Sequence, residues 1–193
     1  LGKPLAVLGH SAGGGIAQYL YHRYPEHIKA LVLLHTGYRM RDSLPRTLIW
    51  SYGPLYAMAF FNPVTKTLIM PGAIMSADIT AALLGTNRNL TRQWFRDVLR
   101  TPPDVAAHEI KEILRMETEH LLQEIKAPVC IIGSVFDPLA PARQSVRMHE
   151  LIPDSELHIL HLSGHAGKIS EAPRVNRIIK KFLEKHYPPK PAP

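Results

Sequence analysis

The chain has 193 residues, of which 46% are hydrophobic and 20% are charged, and its formal net charge is +7. This length and composition are typical of a globular domain with a sizeable core, and they exclude a largely disordered chain. The basic residues are scattered along the chain and form no nucleic-acid-binding motif, so we expect no nucleic-acid partner. No apolar run reaches about 18 residues, so we expect no transmembrane segment.

Residues 1–38 are predicted to form a strand, a helix and a second strand. Residues 5–8 are a short apolar run, and helix-forming residues extend from about residue 12 to residue 24, where Pro25 ends the helix. Residues 30–34 are apolar at every position, which is typical of a strand buried on both faces of a parallel sheet. The pattern predicts a βαβ unit.

Residues 39–126 are predicted to be a helical lid inserted between strands. Glycine and proline break this region into helical stretches, one of which is amphipathic and runs from about residue 102 to about residue 124. Residues 48–61 are rich in aromatic side chains. We expect Trp50, Tyr56 and Phe60 to line an apolar substrate pocket, and the same pattern is also typical of the insertion's own core.

Residues 127–186 return to alternating strands and helices. Strands are predicted at 128–133 and 156–160, and helices at 141–151 and 174–185. The single cysteine, Cys130, lies in the first of these strands, which excludes a disulfide framework and favours a reducing, cytoplasmic environment. The proline-rich residues 187–193 are predicted to form an extended or disordered tail.

The segment Gly9-His10-Ser11-Ala12-Gly13 has the pattern Gly-x-Ser-x-Gly between a strand and a helix. This pattern predicts a sharp, strained turn that exposes the serine hydroxyl, with the glycines leaving room for the neighbouring strand and helix. Ser11 is then a candidate nucleophile and the Ala12 N–H a candidate oxyanion donor. A phosphate-binding loop is the alternative, but no Gly-Lys-Ser/Thr follows.

A serine hydroxyl needs a base and a carboxylate that orients the base. Asp137 follows the predicted third strand and His165 follows the fourth. Loops that follow parallel strands open on one edge of the sheet, so these two side chains are expected to converge on Ser11. His10 is expected to lie beside the site, in hydrogen bonding or substrate contact.

No metal site or cofactor is predicted. His158 and His161 are three positions apart along a strand, so they point to opposite faces and make a poor pair of ligands.

Three segments resemble the α/β-hydrolase family. The nucleophile turn of the family, with the helix and strand after it, is similar to Gly9 to Gly14 with Tyr24 to Leu33. The acid-bearing strand and loop are similar to Ile125 to Asp137. The histidine loop and last helix are similar to Gly164-His165 with Glu171-Ala172-Pro173. The resemblance implies the C-terminal part of an α/β-hydrolase fold, with about four parallel strands, flanking helices and a helical lid.

The chain departs from the family pattern in two ways. Three residues separate Gly133 from Asp137 where the family usually has two, so Asp42, after the second strand, is the alternative acid. The family's first strands and the loop that gives the other oxyanion N–H have no counterpart. We therefore expect a missing N-terminal segment or a second chain to complete the sheet.

Together these features predict a serine hydrolase that cleaves a small carboxylic ester with an apolar acyl or alcohol part. The resemblance leaves lactones, thioesters and C–C bonds open as targets. The alternatives are a hydrolase-like ligand receptor that keeps the three residues, and a catalytically incomplete fragment.

Overall fold

A computed structural model describes residues 4–39, 88–137 and 139–188. Four of the predicted candidates, Asp42, Trp50, Tyr56 and Phe60, lie outside the described residues. The chain divides into two compact units, of which one is Leu1–Ser43 with Met116–Pro193 and the other is Leu44–Arg115.

The first unit has alternating strands and helices. Its strands are β1 (Leu5–His10), β2 (Ile28–Leu34), β3 (Val129–Ser134) and β4 (Ser155–Leu160). Its helices are α1 (Ala12–Arg23), α4 (Glu119–Leu122), α5 (Ala142–Leu151), α6 (Gly167–Ser170) and α7 (Ala172–His186), with a 3₁₀ turn at Pro25–His27. In the second unit the described helices are α2 (Arg88–Arg100) and α3 (Pro103–Arg115).

The four strands form one parallel sheet in the order β1-β2-β3-β4. Leu31 and Leu33 pack on one face with residues of α1 and α5, whereas Val32 and Leu34 pack on the other face with residues of α7. Alternate residues of a strand point to opposite faces, so residues 30–34 of β2 must be apolar at every position to be buried on both faces, whereas Lys29 of the same strand is exposed. The prediction of an α/β fold with four parallel strands flanked by helices is confirmed.

The predicted helix from about residue 102 to about residue 124 is wrong in its extent, because α3 ends at Arg115. The next residues pair with the segment after β2: Glu117 bridges Arg39, and the Thr118 N–H donates to the Tyr38 carbonyl at 2.8 Å. The buried Thr118 hydroxyl also donates to Gln18 Oε1 at 2.5 Å. These tertiary bonds take the place of the i to i−4 bonds that would have continued the helix.

The end of the chain differs in part from the predicted tail. Tyr187 donates its hydroxyl to the Pro4 carbonyl at 3.1 Å, so it is held against the start of the first unit. Residues 189–193 lie outside the described residues. Among the helices that the structure describes, none is long and apolar enough to cross a membrane.

Candidate active site

Ser11 occupies the sharp turn between β1 and α1. Its backbone has φ 54° and ψ −125°, in a region that non-glycine residues rarely adopt. Two bonds hold it there: the Ser11 N–H donates to the Leu34 carbonyl at 3.1 Å, and the Thr36 hydroxyl donates to the Ser11 carbonyl at 2.7 Å. The end of β2 thus stabilises a strained conformation that would not persist alone.

Two glycines make room for this turn. A Cβ at Gly9 would overlap the Gly13 carbonyl, and a Cβ at Gly14 would overlap the Thr36 side chain. The expectation for Gly13 is wrong, because no atom of the described residues lies within 4 Å of its ideal Cβ. The position of α1 that needs a glycine is one residue later than predicted, because Gly14 and not Gly13 contacts Thr36, just after β2.

The structure brings the side chains of Ser11, His165 and Asp137 together. The Ser11 Oγ lies 2.8 Å from His165 Nε2, and His165 Nδ1 lies 2.9 Å from Asp137 Oδ2. A carboxylate accepts hydrogen bonds only, so Nδ1 carries the proton and donates to Asp137. Nε2 is then the acceptor for the Ser11 hydroxyl, which is the arrangement that a general base requires.

Asp137 is held by the backbone of its own loop. Its side chain is fully buried, and its Oδ1 accepts the N–H of Leu139 at 2.9 Å and of Ala140 at 2.8 Å. Oδ2 is the oxygen nearer His165 Nδ1, at 2.9 Å, and Oδ1 lies 3.1 Å from the same nitrogen. The longer loop after Gly133 therefore still delivers the carboxylate to the imidazole.

The Ala12 N–H lies at the first position of α1. The first N–H groups of a helix have no intrahelical acceptor, and the helix dipole adds partial positive charge there. A substrate oxygen that became negative beside Ser11 would be stabilised by such a donor.

His10 lies between the turn and the histidine loop. Its Nε2 donates to the His165 carbonyl at 3.2 Å, and its Nδ1 accepts a hydrogen bond from Lys168 Nζ at 2.7 Å. Burial, helped by the positive charge of Lys168, lowers the pKa of His10 to about 4. Burial also lowers the pKa of Lys168. His10 is therefore neutral at pH 7 and connects the strand that carries Ser11 to the loop that carries His165.

Sequence reasoning missed His35, which lies directly after β2 with φ 45°. Its side chain is fully buried, with Nδ1 3.2 Å from Ser134 Oγ and 3.8 Å from Asp137 Oδ2. Burial lowers its pKa to about 4, against the opposing influence of Asp137. Its position at the carboxyl end of a parallel strand is the signal that could have found it.

One group of side chains away from this site could hold a metal ion among the described residues. It consists of Cys130, Glu156 and His158, whose ligand atoms lie within 4.8 Å of one another.

The chain is similar to proteins described as hydrolases. A family model described as alpha/beta hydrolase fold matches residues 1–172. A putative carbamate hydrolase RutD from Caulobacter sp. (strain K31) is 24% identical over 180 residues, which cover 92% of this chain and 64% of that protein. A poly(3-hydroxyalkanoate) depolymerase from Ectopseudomonas oleovorans is 29% identical over 182 residues, which cover 92% and 60% respectively.

The fold is also shared with solved structures. A hydrolase from Oleispira antarctica has a TM-score of 0.74 and 19% identity, covering 94% of this chain and 66% of that chain. The chain spans 60–64% of the length of the two curated relatives named above.

Proposed function

The chain belongs to the alpha/beta hydrolase fold family, and we propose that it acts as a serine hydrolase on carboxylic esters. Ser11 is the nucleophile, His165 the general base and acid, and Asp137 the carboxylate that orients the imidazole. The observation that carries this proposal is the continuous hydrogen-bonded chain from Ser11 Oγ through His165 to Asp137, with bonds of 2.8 Å and 2.9 Å.

The first half of the reaction acylates Ser11. His165 Nε2 takes the hydroxyl proton as Ser11 Oγ attacks the ester carbonyl, and the carbonyl oxygen becomes negative near the Ala12 N–H. The imidazolium that forms is stabilised by Asp137. Collapse of the tetrahedral intermediate breaks the bond to the alcohol, which leaves with the proton from Nε2.

The second half releases the acid. Water gives a proton to His165 Nε2 and attacks the acyl-enzyme. As the second tetrahedral intermediate collapses, its bond to Ser11 Oγ breaks, Nε2 returns the proton to that oxygen, and the carboxylic acid departs. Each half transfers one proton to the imidazole and back. Asp137 stays ionised throughout, because it stabilises the imidazolium and does not itself take a proton.

The ester class is supported by two considerations. The aromatic residues Trp50, Tyr56 and Phe60 of the predicted lid favour an apolar acyl or alcohol part. The name of the Ectopseudomonas oleovorans relative describes a depolymerase of poly(3-hydroxyalkanoate), a polyester. The other relative is described as a putative carbamate hydrolase, and carbamate cleavage would use the same three side chains.

A fluorophosphonate probe tests the nucleophile. We expect one adduct per chain by intact mass, with the label on Ser11, and no adduct in Ser11→Ala. Ser155→Ala is the matched control, because Ser155 opens β4 and its hydroxyl bonds to His149 instead. Labelling of Ser11→Ala at the wild-type rate would refute the proposal.

A series of p-nitrophenyl esters with acyl groups of increasing length tests the substrate class. We expect turnover that rises with acyl length and disappears in Ser11→Ala. Labelling by the fluorophosphonate without turnover of any ester would refute ester hydrolysis. It would favour a ligand receptor or an incomplete oxyanion hole, and turnover of a phenyl carbamate alone would favour a carbamate substrate.

A further inference from the structure

We propose that Cys130, Glu156 and His158 form a zinc-binding site on the α7 face of the sheet, separate from Ser11, His165 and Asp137. The three side chains come from the two neighbouring strands β3 and β4. Their ligand atoms, one sulfur, one oxygen and one nitrogen, all lie within 4.8 Å of one another. This cluster takes no part in the hydrolytic mechanism proposed above.

The strand register produces the cluster. Cys130 of β3 pairs directly with Glu156 of β4, and His158 follows two positions later on β4. Directly paired residues and residues two apart along a strand share a face, so the three side chains project to the same side. That side is the face packed against α7, where Cys130 belongs to the core with Val175 and Phe182.

The cluster lies toward the amino ends of the strands. Cys130 is four residues before the end of β3, which at about 3.3 Å per residue places it about 13 Å from the edge where Asp137 follows. Binding a metal ion at the cluster is therefore expected to leave the geometry around Ser11 unchanged.

The spacing suits zinc. Zinc binds cysteine sulfur at about 2.3 Å and histidine nitrogen or carboxylate oxygen at about 2.0–2.2 Å, so tetrahedral ligands lie about 3.3–3.8 Å apart. His158 Nε2 and Glu156 Oε1 are already 3.5 Å apart. The ligand atoms all lie within 4.8 Å of one another, so movements of about 1 Å or less would bring all three to this spacing.

The chemistry of the ligands favours zinc over magnesium or calcium. Thiolate and imidazole are the softer ligands that zinc prefers, whereas magnesium and calcium take oxygen ligands. A thiolate and a carboxylate together carry two negative charges, which a divalent cation neutralises. The resulting site has no net charge, and this is compatible with the apolar residues around Cys130.

Two observations distinguish the cluster from an ordinary surface pair. The Cys130 side chain is fully buried, while Glu156 and His158 are each 36% exposed, which gives an ion a path from solvent. His158 Nε2 is itself buried and makes no hydrogen bond, although Glu156 Oε1 lies 3.5 Å away. An ion bound between these two atoms would give the nitrogen a direct bond. The Cys130 thiol would lose its proton to solvent on binding, as zinc ligation by cysteine requires.

Cobalt(II) titration tests the site, because cobalt replaces zinc and gives a sulfur-to-metal charge-transfer band. The chain has one cysteine, so any such band reports on Cys130. We expect the band to saturate at one cobalt per chain and to disappear when one equivalent of zinc is added. The absence of a charge-transfer band at saturating cobalt would overturn the proposal.

Variants separate the cluster from adventitious histidine binding. We expect Cys130→Ser and His158→Gln to weaken zinc binding by at least about 100-fold in competition with a chelating dye. His161→Gln is the matched control, because this exposed histidine lies just after β4 and outside the cluster. Wild-type zinc affinity in His158→Gln, or a comparable loss in His161→Gln, would overturn the proposal.

Cys130 is buried, so its variant needs a folding control. Fluorophosphonate labelling of Ser11 and the circular dichroism spectrum serve this purpose, and Glu156→Gln changes a ligand at a partly exposed position. If Glu156→Gln and His158→Gln keep the wild-type labelling rate and lose zinc, the site is established without relying on Cys130→Ser.

Discussion

The substitution Asp137→Asn tests whether this carboxylate sets the tautomer of His165. An asparagine has the same shape but presents one oxygen and one NH₂ group. The Asp137 Oδ1 accepts two backbone hydrogen bonds, from Leu139 at 2.9 Å and Ala140 at 2.8 Å. These donors would hold the amide oxygen, so the NH₂ group would face His165 Nδ1. Nδ1 would become the acceptor, and Nε2 would carry the proton and no longer accept one from Ser11.

The size of the effect follows from the cost of turning the amide over. The flipped amide restores the productive tautomer but leaves the buried N–H of Ala140 and the partly buried N–H of Leu139 facing NH₂. Each donor left unsatisfied costs about 1–3 kcal/mol, so the flip costs up to about 2–6 kcal/mol in all. At about 1.4 kcal/mol per tenfold, the productive form would fall by about 30-fold to about 10⁴-fold. We expect the fluorophosphonate labelling rate of Ser11 to fall within this range.

Two controls accompany this assay. Asp154→Asn makes the same chemical change at an exposed position before β4, and its labelling rate is expected to equal that of the wild type. Asp42→Asn tests the alternative acid and is also expected to label normally. A labelling rate within about threefold of wild type in Asp137→Asn, together with a large loss in Asp42→Asn, would refute the assignment of Asp137.

Three further predictions concern the turn and its surroundings. Gly9→Ala is expected to lower the free energy of unfolding, measured in urea, by about 3 kcal/mol or more, because its Cβ would overlap the Gly13 carbonyl. Gly13→Ala is the control and is expected to change the free energy of unfolding by about 1 kcal/mol or less. Equal losses in the two variants would contradict the packing of Gly9 against the Gly13 carbonyl. In the unfolded state His35 takes up a proton below its ordinary pKa of 6.5, whereas in the folded state it does so only below about 4. As the pH falls from 6.5 to 4 the proton therefore binds the unfolded state preferentially, and the wild type is expected to lose stability. His35→Asn, which tolerates the positive φ, should lose about 3 kcal/mol less over that range in urea unfolding, and an unchanged pH dependence would argue against a neutral buried His35. Thr36→Val removes the 2.7 Å hydrogen bond to the Ser11 carbonyl. It is expected to lower the free energy of unfolding in urea by about 1 kcal/mol and to slow fluorophosphonate labelling of Ser11. Unchanged values of both would show that this bond does not support the turn.

The sheet could be predicted from the sequence because its strands have a strong local signal. Residues 30–34 and 128–133 are continuous apolar runs, and a strand buried on both faces of a parallel sheet requires that composition. The convergence of Ser11, Asp137 and His165 follows from the same topology, since loops after parallel strands share one edge. The hydrophobic pattern of the strands and the parallel topology were sufficient to predict these features, because both belong to whole strands and do not depend on individual contacts between distant side chains.

The details that sequence reasoning missed depend on contacts between distant residues. The end of α3 at Arg115 is set by hydrogen bonds from Thr118 to Tyr38 and Gln18, which lie about 80 and 100 positions away. The requirement for glycine at position 14 comes from Thr36, on the loop after β2. Local propensity carries no information about such partners, so these features need the tertiary structure.

Two imidazoles lie near the Asp137 carboxylate, and their surroundings favour one of them as the base of the proposed reaction. His165 Nδ1 lies 2.9 Å from Oδ2 and its side chain is 19% exposed, whereas His35 Nδ1 lies 3.8 Å away and is fully buried. Forming an imidazolium at His35 would require a charge in a desolvated position, and burial lowers its pKa to about 4 accordingly. This difference supports His165, whose Nε2 lies 2.8 Å from Ser11 Oγ, as the acceptor of the Ser11 proton in the proposed reaction. His35 remains neutral at pH 7, and its buried ring lies beside Asp137.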